Sequence, residues 1–269
     1  MWVHVFTVGT SILLNASRSE NVSKNLRDMF SRWCRALPGS DIDSEICDKS
    51  NEAFNTLYSL VCSDPRSMSA ELNAYLGIIG KRIATPVKKI YLLPTATCSS
   101  KLCSSIIEKY LKEHRDIDVE IHTIKHLGLG PEYFDEALLE LLDELSNIVN
   151  EAKKQDLRVA INLTGGFKPE SGFAILAAST LGIDLAYYIH EVWRDVVYIP
   201  IPPLKLDPEF KNYIKTIFKE INTITISDAK LRGITTILEE LSHKGLIIKT
   251  PNGTKYAIRP WIRKLVKGK

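Results

Sequence analysis

Residues 160–171 have the sequence Ala-Ile-Asn-Leu-Thr-Gly-Gly-Phe-Lys-Pro-Glu-Ser, and this stretch decides the fold. The segment that leads into it, residues 158–163, is mostly apolar and predicts a buried strand. The two glycines permit a tight turn that lets a ligand approach the backbone. Pro169 suits the first turn of a helix. We therefore predict a strand, a glycine turn and a helix N-terminus, where backbone N–H groups and Lys168 bind a phosphate or another anion.

Apolar segments of strand length alternate with helical segments through residue 189. Strands are predicted at residues 2–8, 89–94, 119–124, 158–163, 184–189 and 196–201. The alternation predicts right-handed crossovers and a mainly parallel sheet, which is an α/β, Rossmann-like fold. Because the loops that follow parallel strands open on one edge of the sheet, we expect their polar residues to converge there.

The predicted helices are less regular than the strands. Helices are expected at residues 20–36, 51–64, 68–81, about 100–113 and 134–152, and the last has the clearest apolar stripe. Ser99 or Ser100 is a candidate N-cap of the fourth helix. Residues 38–50, with Pro38, Gly39 and several aspartates, are predicted to form a loop.

A proline-rich junction at residues 200–208 divides the chain into two predicted domains, residues 1–203 and 204–269. In the second, a helix at residues 233–244 and a hairpin at 246–258, with Asn252-Gly253 at its turn, predict a small winged helix-turn-helix. Residues 205–269 carry 14 Lys/Arg and 6 Asp/Glu, a balance of +8, whereas residues 1–204 have a balance of −5. The basic tail is a candidate for contact with DNA, although such charge is also common on solvated faces.

Several classes of protein are disfavoured. No apolar run is long enough for a membrane span, and the start of the chain is typical of a first strand rather than a signal peptide. The five cysteines show no metal-type spacing, which predicts free thiols in a reducing cytoplasm. The six histidines show none either, and we assign them structural or surface roles. A Walker loop and a dinucleotide fingerprint are missing, so no cofactor is expected.

Three polar turns besides residues 164–168 follow predicted strands. They are Gly9-Thr10-Ser11, the segment with Thr95 and Thr97, and the loop from Gly128 to Tyr133. A serine after a first strand is commonly a turn or cap residue. On the same sheet edge as Lys168, however, the Ser11 hydroxyl and the Lys168 ammonium group can together bind one phosphodiester.

Taken in order, these features resemble the CRISPR-associated Rossmann-fold (CARF) proteins, and within them the stand-alone archaeal ring nucleases. The resemblance covers residues 1 to about 200, and the tail is also similar. It depends most on residues 164–168, Thr-Gly-Gly-Phe-Lys, and next on the Gly9-Thr10-Ser11 turn.

The resemblance implies a homodimer that binds cyclic tetra-adenylate, the second messenger of type III CRISPR complexes. It implies cleavage, without a metal, to linear di-adenylates that carry a 2′,3′-cyclic phosphate. Ser11 and Lys168 match the family's catalytic positions. Tyr133 lies at the loop position where related enzymes cover the ligand. With the other turns that converge on this sheet edge, the predicted ligand-binding residues are Gly9, Thr10, Thr95, Thr97, Gly130, Tyr133, Thr164, Gly165, Gly166 and Phe167.

The chemistry of a ribose phosphodiester fits this set of residues. The internal nucleophile is the 2′-OH, whose attack requires in-line positioning and hydrogen-bond donors on the phosphoryl oxygens. Lys168 and the N–H groups of residues 165–167 would stabilise the developing charge, and Ser11 would position the ribose or the phosphate. No general base is evident in the sequence, because no histidine or carboxylate falls convincingly in the predicted site.

Three alternatives stay open. The first is a sensor without activity, in which cyclic oligoadenylate controls DNA binding by the winged helix. The second is a ligand-activated effector RNase, but Arg232 lies eleven residues before His243, which does not match the Arg-x₄₋₆-His motif of such proteins. The third is a nucleotide-metabolising enzyme of another Rossmann-like family.

Overall fold

A computed structural model of the chain describes residues 1–166, 168–190, 192–193, 195–218 and 221–267, without the side chains of Lys168, Glu170 and Lys267. The chain forms two compact units, residues 1–203 and 204–269. Within the described part of the chain, no helix is long and apolar enough to cross a membrane.

The described residues of the first unit contain a six-stranded sheet in the order β3-β2-β1-β4-β5-β6. Its strands are β1 (Trp2–Val8), β2 (Val87–Pro94), β3 (Asp118–Ile121), β4 (Arg158–Asn162), β5 (Leu185–Ile189) and β6 (Val196–Ile199). The first five are parallel, and β6 pairs antiparallel with β5. The predicted Rossmann-like fold is confirmed. β1 and β4 are buried along nearly their whole length, as expected for central strands covered on both faces.

Helices connect the parallel strands. They are α1 (Ser11–Ala16), α2 (Lys24–Trp33), α3 (Asp41–Ser63), α4 (Pro65–Met68), α5 (Ala70–Gly80), α6 (Cys98–Arg115), α7 (Phe134–Lys154) and α8 (Lys168–Leu181), with a 3-10 turn at Pro131–Tyr133. One core cluster packs a face of β1 and β2 against the helices of the long β1–β2 connection and α6. The α7 stripe predicted from its periodicity is buried, from Ala137 to Ala152.

Two predictions about the starts of helices were wrong. The expected loop at residues 38–50 is mostly helical, because Ser40 caps α3 by accepting a hydrogen bond from Asp43 N, and Asp41 and Asp43 occupy its first turn. Aspartates at a helix N-terminus are favoured by the helix dipole, but aspartate is also common in loops, so the sequence alone does not distinguish the two. The N-cap of α6 is Thr97, which accepts a hydrogen bond from Ser100 N, and neither Ser99 nor Ser100 takes that role.

The prediction of five free cysteines was also wrong. Cys47 of α3 and Cys98 at the start of α6 form a disulfide, with Cα atoms 5.4 Å apart, whereas Cys34, Cys62 and Cys103 are free. The paired cysteines are 51 residues apart, and only the packing of α3 against α6 brings them together.

The second unit combines four helices and a three-stranded sheet in its described residues. Its elements are α9 (Pro208–Ile217), β7 (Thr223–Thr225), α10 (Ile226–Leu231), α11 (Thr235–His243), β8 (Ile247–Lys249), β9 (Lys255–Ile258) and α12 (Pro260–Lys267). The β8–β9 hairpin has the predicted Asn252-Gly253 turn, and Gly253 has a φ of 67°. β7, α10 and α12 were not predicted, since they have only 3, 6 and 8 residues.

Candidate functional site

The centre of the sheet is a topological switch point. β1 pairs with β2 on one side and with β4 on the other, so successive connections leave in opposite directions at this place. In open α/β sheets such a point leaves a crevice beyond the carboxyl ends of the strands, where ligands bind. The two turns predicted to form the site, residues 9–11 and 164–166, follow β1 and β4 and meet there.

A cavity of about 380 Å³ opens at this position. Its volume is within the range of small-molecule sites. Eight of the predicted site residues line it: Gly9, Thr10, Ser11, Thr95, Thr97, Thr164, Gly165 and Gly166. Three separate sequence segments, each at the end of a parallel strand, therefore contribute to one site.

Close contact between the β1 and β4 turns requires a glycine at position 165. A Cβ atom there would lie 2.5 Å from Thr7 O and 2.8 Å from Gly9 N, and it would collide with Glu71 Oε1. The next residue, Gly166, has a φ of 92°, which is strained for residues with a side chain. The glycine pair thus serves both the backbone conformation and the contact between the two turns.

Buried polar groups hold the β4 turn in place. Thr7 Oγ1 donates a hydrogen bond to Gly165 O at 2.5 Å. Asn162 Oδ1 accepts from Thr164 N and from Thr164 Oγ1, at 3.2 Å and 2.6 Å. Thr164 Oγ1 in turn accepts from Ile189 N at the end of β5. Such a satisfied buried network gives the turn one defined shape before any ligand arrives.

Glu71, which the sequence analysis missed, lies at the centre of the site. It is 1% exposed, and it lines the cavity. Its Oε2 accepts hydrogen bonds from Ser11 Oγ at 2.8 Å and from Ser69 Oγ at 2.9 Å, while Oε1 accepts from Gly9 N at 2.9 Å. The available signal was the Ser69-x-Glu71 pattern at a helix start, but it is indistinguishable from ordinary capping, since Ser69 does cap α5.

The hydroxyls that follow β2 are buried and bonded to one another. Thr95 Oγ1 and Thr97 Oγ1 are 2.9 Å apart. Ser100 Oγ accepts from Thr95 N and donates to Val8 O, which ties the start of α6 to the end of β1. Thr95 and Thr97 therefore shape one wall of the cavity.

A further wall of the cavity comes from the turn after α2, which was not predicted as part of the site. Arg35, Leu37 and Pro38 line the cavity, and the Leu37 side chain is 70% exposed. Thr10 Oγ1 donates to Cys34 O in the same turn, so the β1 turn and the α2 turn are joined. Arg35 adds a cation whose role no sequence motif indicates.

Gly130 and Tyr133 lie in the loop after β3, of which Gly128 lines the cavity. Tyr133 is 41% exposed, and its ring stacks on that of His126, with centroids 5.9 Å apart. His126 is held by Glu140 of α7, which accepts from its backbone N and contacts Nδ1. Tyr133 therefore belongs to a surface stack beside the site.

Lys168 and Phe167 complete the predicted motif. The backbone of Lys168 begins α8, directly after the glycine turn, but its side chain lies outside the described part of the structure, as does the whole of Phe167.

His4 of β1 has the structural role predicted for it. It is fully buried, and its ring contacts Tyr187 Oη through Nδ1 and Ala84 O through Nε2. Burial lowers the pKa of His4 to about 4, against the opposing effect of the hydrogen bond to Ala84 O. The described residues contain no cluster of three His, Cys, Asp or Glu that could hold a metal ion.

Comparison with known proteins places these observations in a family. The model of the family "CRISPR-associated protein (Cas_APE2256)" matches residues 66–202. Among solved structures, the chain is similar to Can2 from Sulfobacillus thermosulfidooxidans in complex with cyclic tetra-adenylate, at 9% identity and a TM-score of 0.32. That match covers 100% of this chain but only 64% of the other, and a similarity this low carries no functional argument. On the family match, which spans half of the sequence and includes β2 to β6, the chain belongs to the CRISPR-associated Cas_APE2256 family.

Proposed function

We propose that this protein is a ring nuclease that opens cyclic tetra-adenylate and thereby switches off type III CRISPR signalling. One observation carries the proposal: Ser11 and the Gly165–Gly166 turn, on which the resemblance to ring nucleases depends, line a single cavity at the switch point. Membership of a CRISPR-associated family supports the same biological setting.

In the proposed reaction, a ribose 2′-oxygen attacks the adjacent phosphorus and the 5′-oxygen leaves. The products are linear di-adenylates with a 2′,3′-cyclic phosphate. Because the nucleophile belongs to the substrate, the protein's task is to align it and to stabilise the charge on the phosphoryl oxygens. We assign the stabilising role to Lys168 and the backbone of residues 165–167, and the aligning role to Ser11. No step requires a metal in this proposal.

We propose that the active form is a homodimer. A cavity of about 380 Å³ is small for a ring of four nucleotides, so one copy would hold only part of it. A two-fold dimer presents two copies of the same site, and the ring itself contains a two-fold axis. Each copy would then act on one of two opposed phosphodiesters, which accounts for di-adenylate products.

The second candidate is a sensor that binds the ring without cleaving it and regulates DNA binding. It is favoured by the second unit, where α10 and α11 precede the β8–β9 hairpin, as in a winged helix-turn-helix, and where the charge is +8. Lys/Arg contacts to phosphates make such binding strongly dependent on salt.

We also propose a cytoplasmic location, where CRISPR complexes make the messenger. The Cys47–Cys98 disulfide is unusual for the cytosol of a mesophile, but intracellular proteins of hyperthermophilic archaea are rich in disulfides.

Labelled cyclic tetra-adenylate distinguishes the two candidates. Incubated with the protein in EDTA, it should be converted to di-adenylate with a 2′,3′-cyclic phosphate. Tight binding with an intact ring, together with salt-sensitive DNA binding, would instead support the sensor. Cleavage that depends on an added divalent metal would contradict the proposed chemistry.

A further inference from the structure

The hydroxyl hydrogen of Ser11 already forms a hydrogen bond within the protein. Ser11 Oγ accepts a hydrogen bond from Ala70 N at 3.1 Å, and it donates to Glu71 Oε2 at 2.8 Å. A serine hydroxyl has one hydrogen and two lone pairs, so a single lone pair is left. Because Ser11 lines the cavity, it can offer a ligand an acceptor but no donor.

Glu71 imposes this direction on Ser11. Its Oε1 faces Gly9 N, a group that can only donate. Its Oε2 faces two hydroxyls, and the second, Ser69 Oγ, also accepts from a backbone N–H, that of Leu72. Each hydroxyl therefore turns its hydrogen toward Oε2. A carboxylate is the one side-chain group that accepts at both oxygens, so it fits this set of donors.

The oxygens of a phosphodiester carry no hydrogen, so a lone pair on Ser11 has nothing to accept from them. The Glu71 carboxylate behind Ser11 adds a negative charge that disfavours a phosphate at this point. The hydroxyl nearest to a scissile phosphodiester is the ribose 2′-OH, which is a donor. The acceptor on Ser11 therefore matches the nucleophile rather than the phosphoryl group.

We propose that Glu71 is a positioning residue that fixes Ser11 as the hydrogen-bond acceptor for the attacking 2′-OH and takes up, through Ser11, the proton that this hydroxyl loses. The inference rests on the proposed function. It supplies the base that the sequence did not reveal, at a carboxylate that is 1% exposed and acts through Ser11.

The step balances as a proton relay. As the 2′-oxygen forms its bond to phosphorus and the bond from phosphorus to the 5′-oxygen breaks, the 2′-OH proton moves to Ser11 Oγ. The original Ser11 hydroxyl proton moves to Glu71 Oε2. The 5′-oxygen takes a proton from water, and Glu71 returns its proton to solvent through the same serine after the product leaves.

Ser11→Ala tests the contact with the 2′-OH and keeps the Glu71 carboxylate, which loses only the hydrogen bond from Ser11. Binding is measured by the wild type and by the variant, to cyclic tetra-adenylate and to its 2′-deoxy analogue. Loss of one neutral hydrogen bond should weaken binding of the ribose ring by roughly five- to tenfold, and binding of the deoxy ring should hardly change. An equal loss for both rings would overturn the proposal, because it would show that Ser11 binds another group.

Glu71→Gln tests the direction of the hydrogen bond between Ser11 and residue 71. The amide oxygen must face Gly9 N, since the reverse orientation opposes two N–H groups, so the amide NH₂ takes the place of Oε2. Ser11 must then accept from this NH₂, and its own hydrogen turns to the cavity. The relay has no proton acceptor left, so single-turnover cleavage should fall about 100-fold or more while the ring still binds. The ribose ring should still be preferred over the deoxy ring, because the 2′-oxygen can accept from the turned Ser11 hydrogen.

Ser69→Ala is the matched control, because it removes another donor to Glu71 Oε2 but leaves Ser11 in place. Ser69→Ala should keep the discrimination between the two rings. A loss of single-turnover cleavage as large as that of Glu71→Gln would overturn the proposal. So would Glu71→Gln with wild-type cleavage. If Glu71→Gln does not fold, the Ser11→Ala comparison decides.

Failure of the proposed function has a different signature. In that case the wild type itself does not cleave the ribose ring, whether or not it binds it. If the wild type cleaves the ring and Ser11→Ala loses affinity for the ribose and deoxy rings equally, only the role of Glu71 and Ser11 is refuted, and the proposed function stands.

Discussion

The β1 and β4 turns and the loop after β3 open on the same edge of the sheet, but they are held in opposite ways. The turns are fixed by buried hydrogen bonds, from Ser11 and Gly9 to Glu71 and from Thr7 to Gly165. The described contact of Tyr133, in the loop, is a partly exposed stack on the His126 ring. In the proposed function, the turns are a preformed site for the phosphodiester, and the more exposed loop contacts the rest of the ligand. Substitutions in the turns should therefore cost catalysis or stability, and substitutions in the loop should cost binding.

The largest effect should come from Lys168→Ala, at the end of the β4 turn. Removing one electrostatic donor to a transition state lowers the rate by about 10²–10³. Single-turnover cleavage of cyclic tetra-adenylate measures the effect, and thermal unfolding should show that the fold survives. Lys154→Ala, an exposed lysine in the last turn of α7, is the control and should cleave at the wild-type rate. Equal rates for both variants would remove Lys168 from the mechanism.

The free energy of unfolding should depend on pH through His4, which lies in β1, the strand that precedes the turn at residues 9–11. Its pKa is about 4 in the folded protein, where burial opposes the charge, and about 6.5 when unfolded. Between these two pKa values the unfolded chain binds more protons than the folded protein. The free energy of unfolding is therefore unaffected by His4 above about pH 6.5 and falls as the pH drops toward 4. The difference amounts to about 3 kcal/mol. Urea unfolding at pH 7 and pH 4.5 should give a larger decrease for the wild type than for His4→Gln. Equal decreases would contradict this assignment.

Gly165→Ala tests the contact between the two turns. The added methyl collides with Glu71 and approaches the backbone of Thr7 and Gly9, which should cost about 1–3 kcal/mol of the free energy of unfolding. Gly172→Ala is the control, because it is inside α8 and, among the described residues, no atom outside its own stretch of helix lies within 4 Å of its Cβ position. Alanine there should stabilise the protein by up to about 1 kcal/mol. If both changes have the same sign in denaturant unfolding, the close contact at Gly165 is refuted.

The smallest effect should come from Tyr133→Ala in the β3 loop. Because the Tyr133 ring is expected to cover the bound ligand, affinity for cyclic tetra-adenylate should fall by roughly five- to tenfold, at the lower end of the range for a stacked base. Cleavage of the bound ring should keep its rate, and Tyr133→Phe should bind as the wild type does. A rate loss comparable with that of Lys168→Ala would abolish the distinction between the turns and the loop.

The two parts of the site also differ in how well the sequence predicts them. The turns at residues 9–11 and 164–166 were found because glycine and hydroxyl residues follow strands, and parallel strands place such turns together. Glu71 was missed because a helix-capping pattern explains it equally well, and only the tertiary fold brings it to Ser11, 60 residues earlier. The same limit applies to the Cys47–Cys98 disulfide, since the sequence does not reveal that α3 packs against α6. Asp41 and Asp43 show a local ambiguity, because aspartate is common in loops and in first helical turns alike.

A structure of the Lys168→Ala variant with cyclic tetra-adenylate tests the central claim, that the cavity at the β1–β4 switch point holds the bond to be cleaved. We predict one phosphodiester of the ring in the cavity of each of two copies, between Ser11 and the Gly165–Gly166 turn. The neighbouring ribose 2′-oxygen should lie about 3 Å from Ser11 Oγ. A ring whose phosphodiesters all lie outside this cavity would contradict the account.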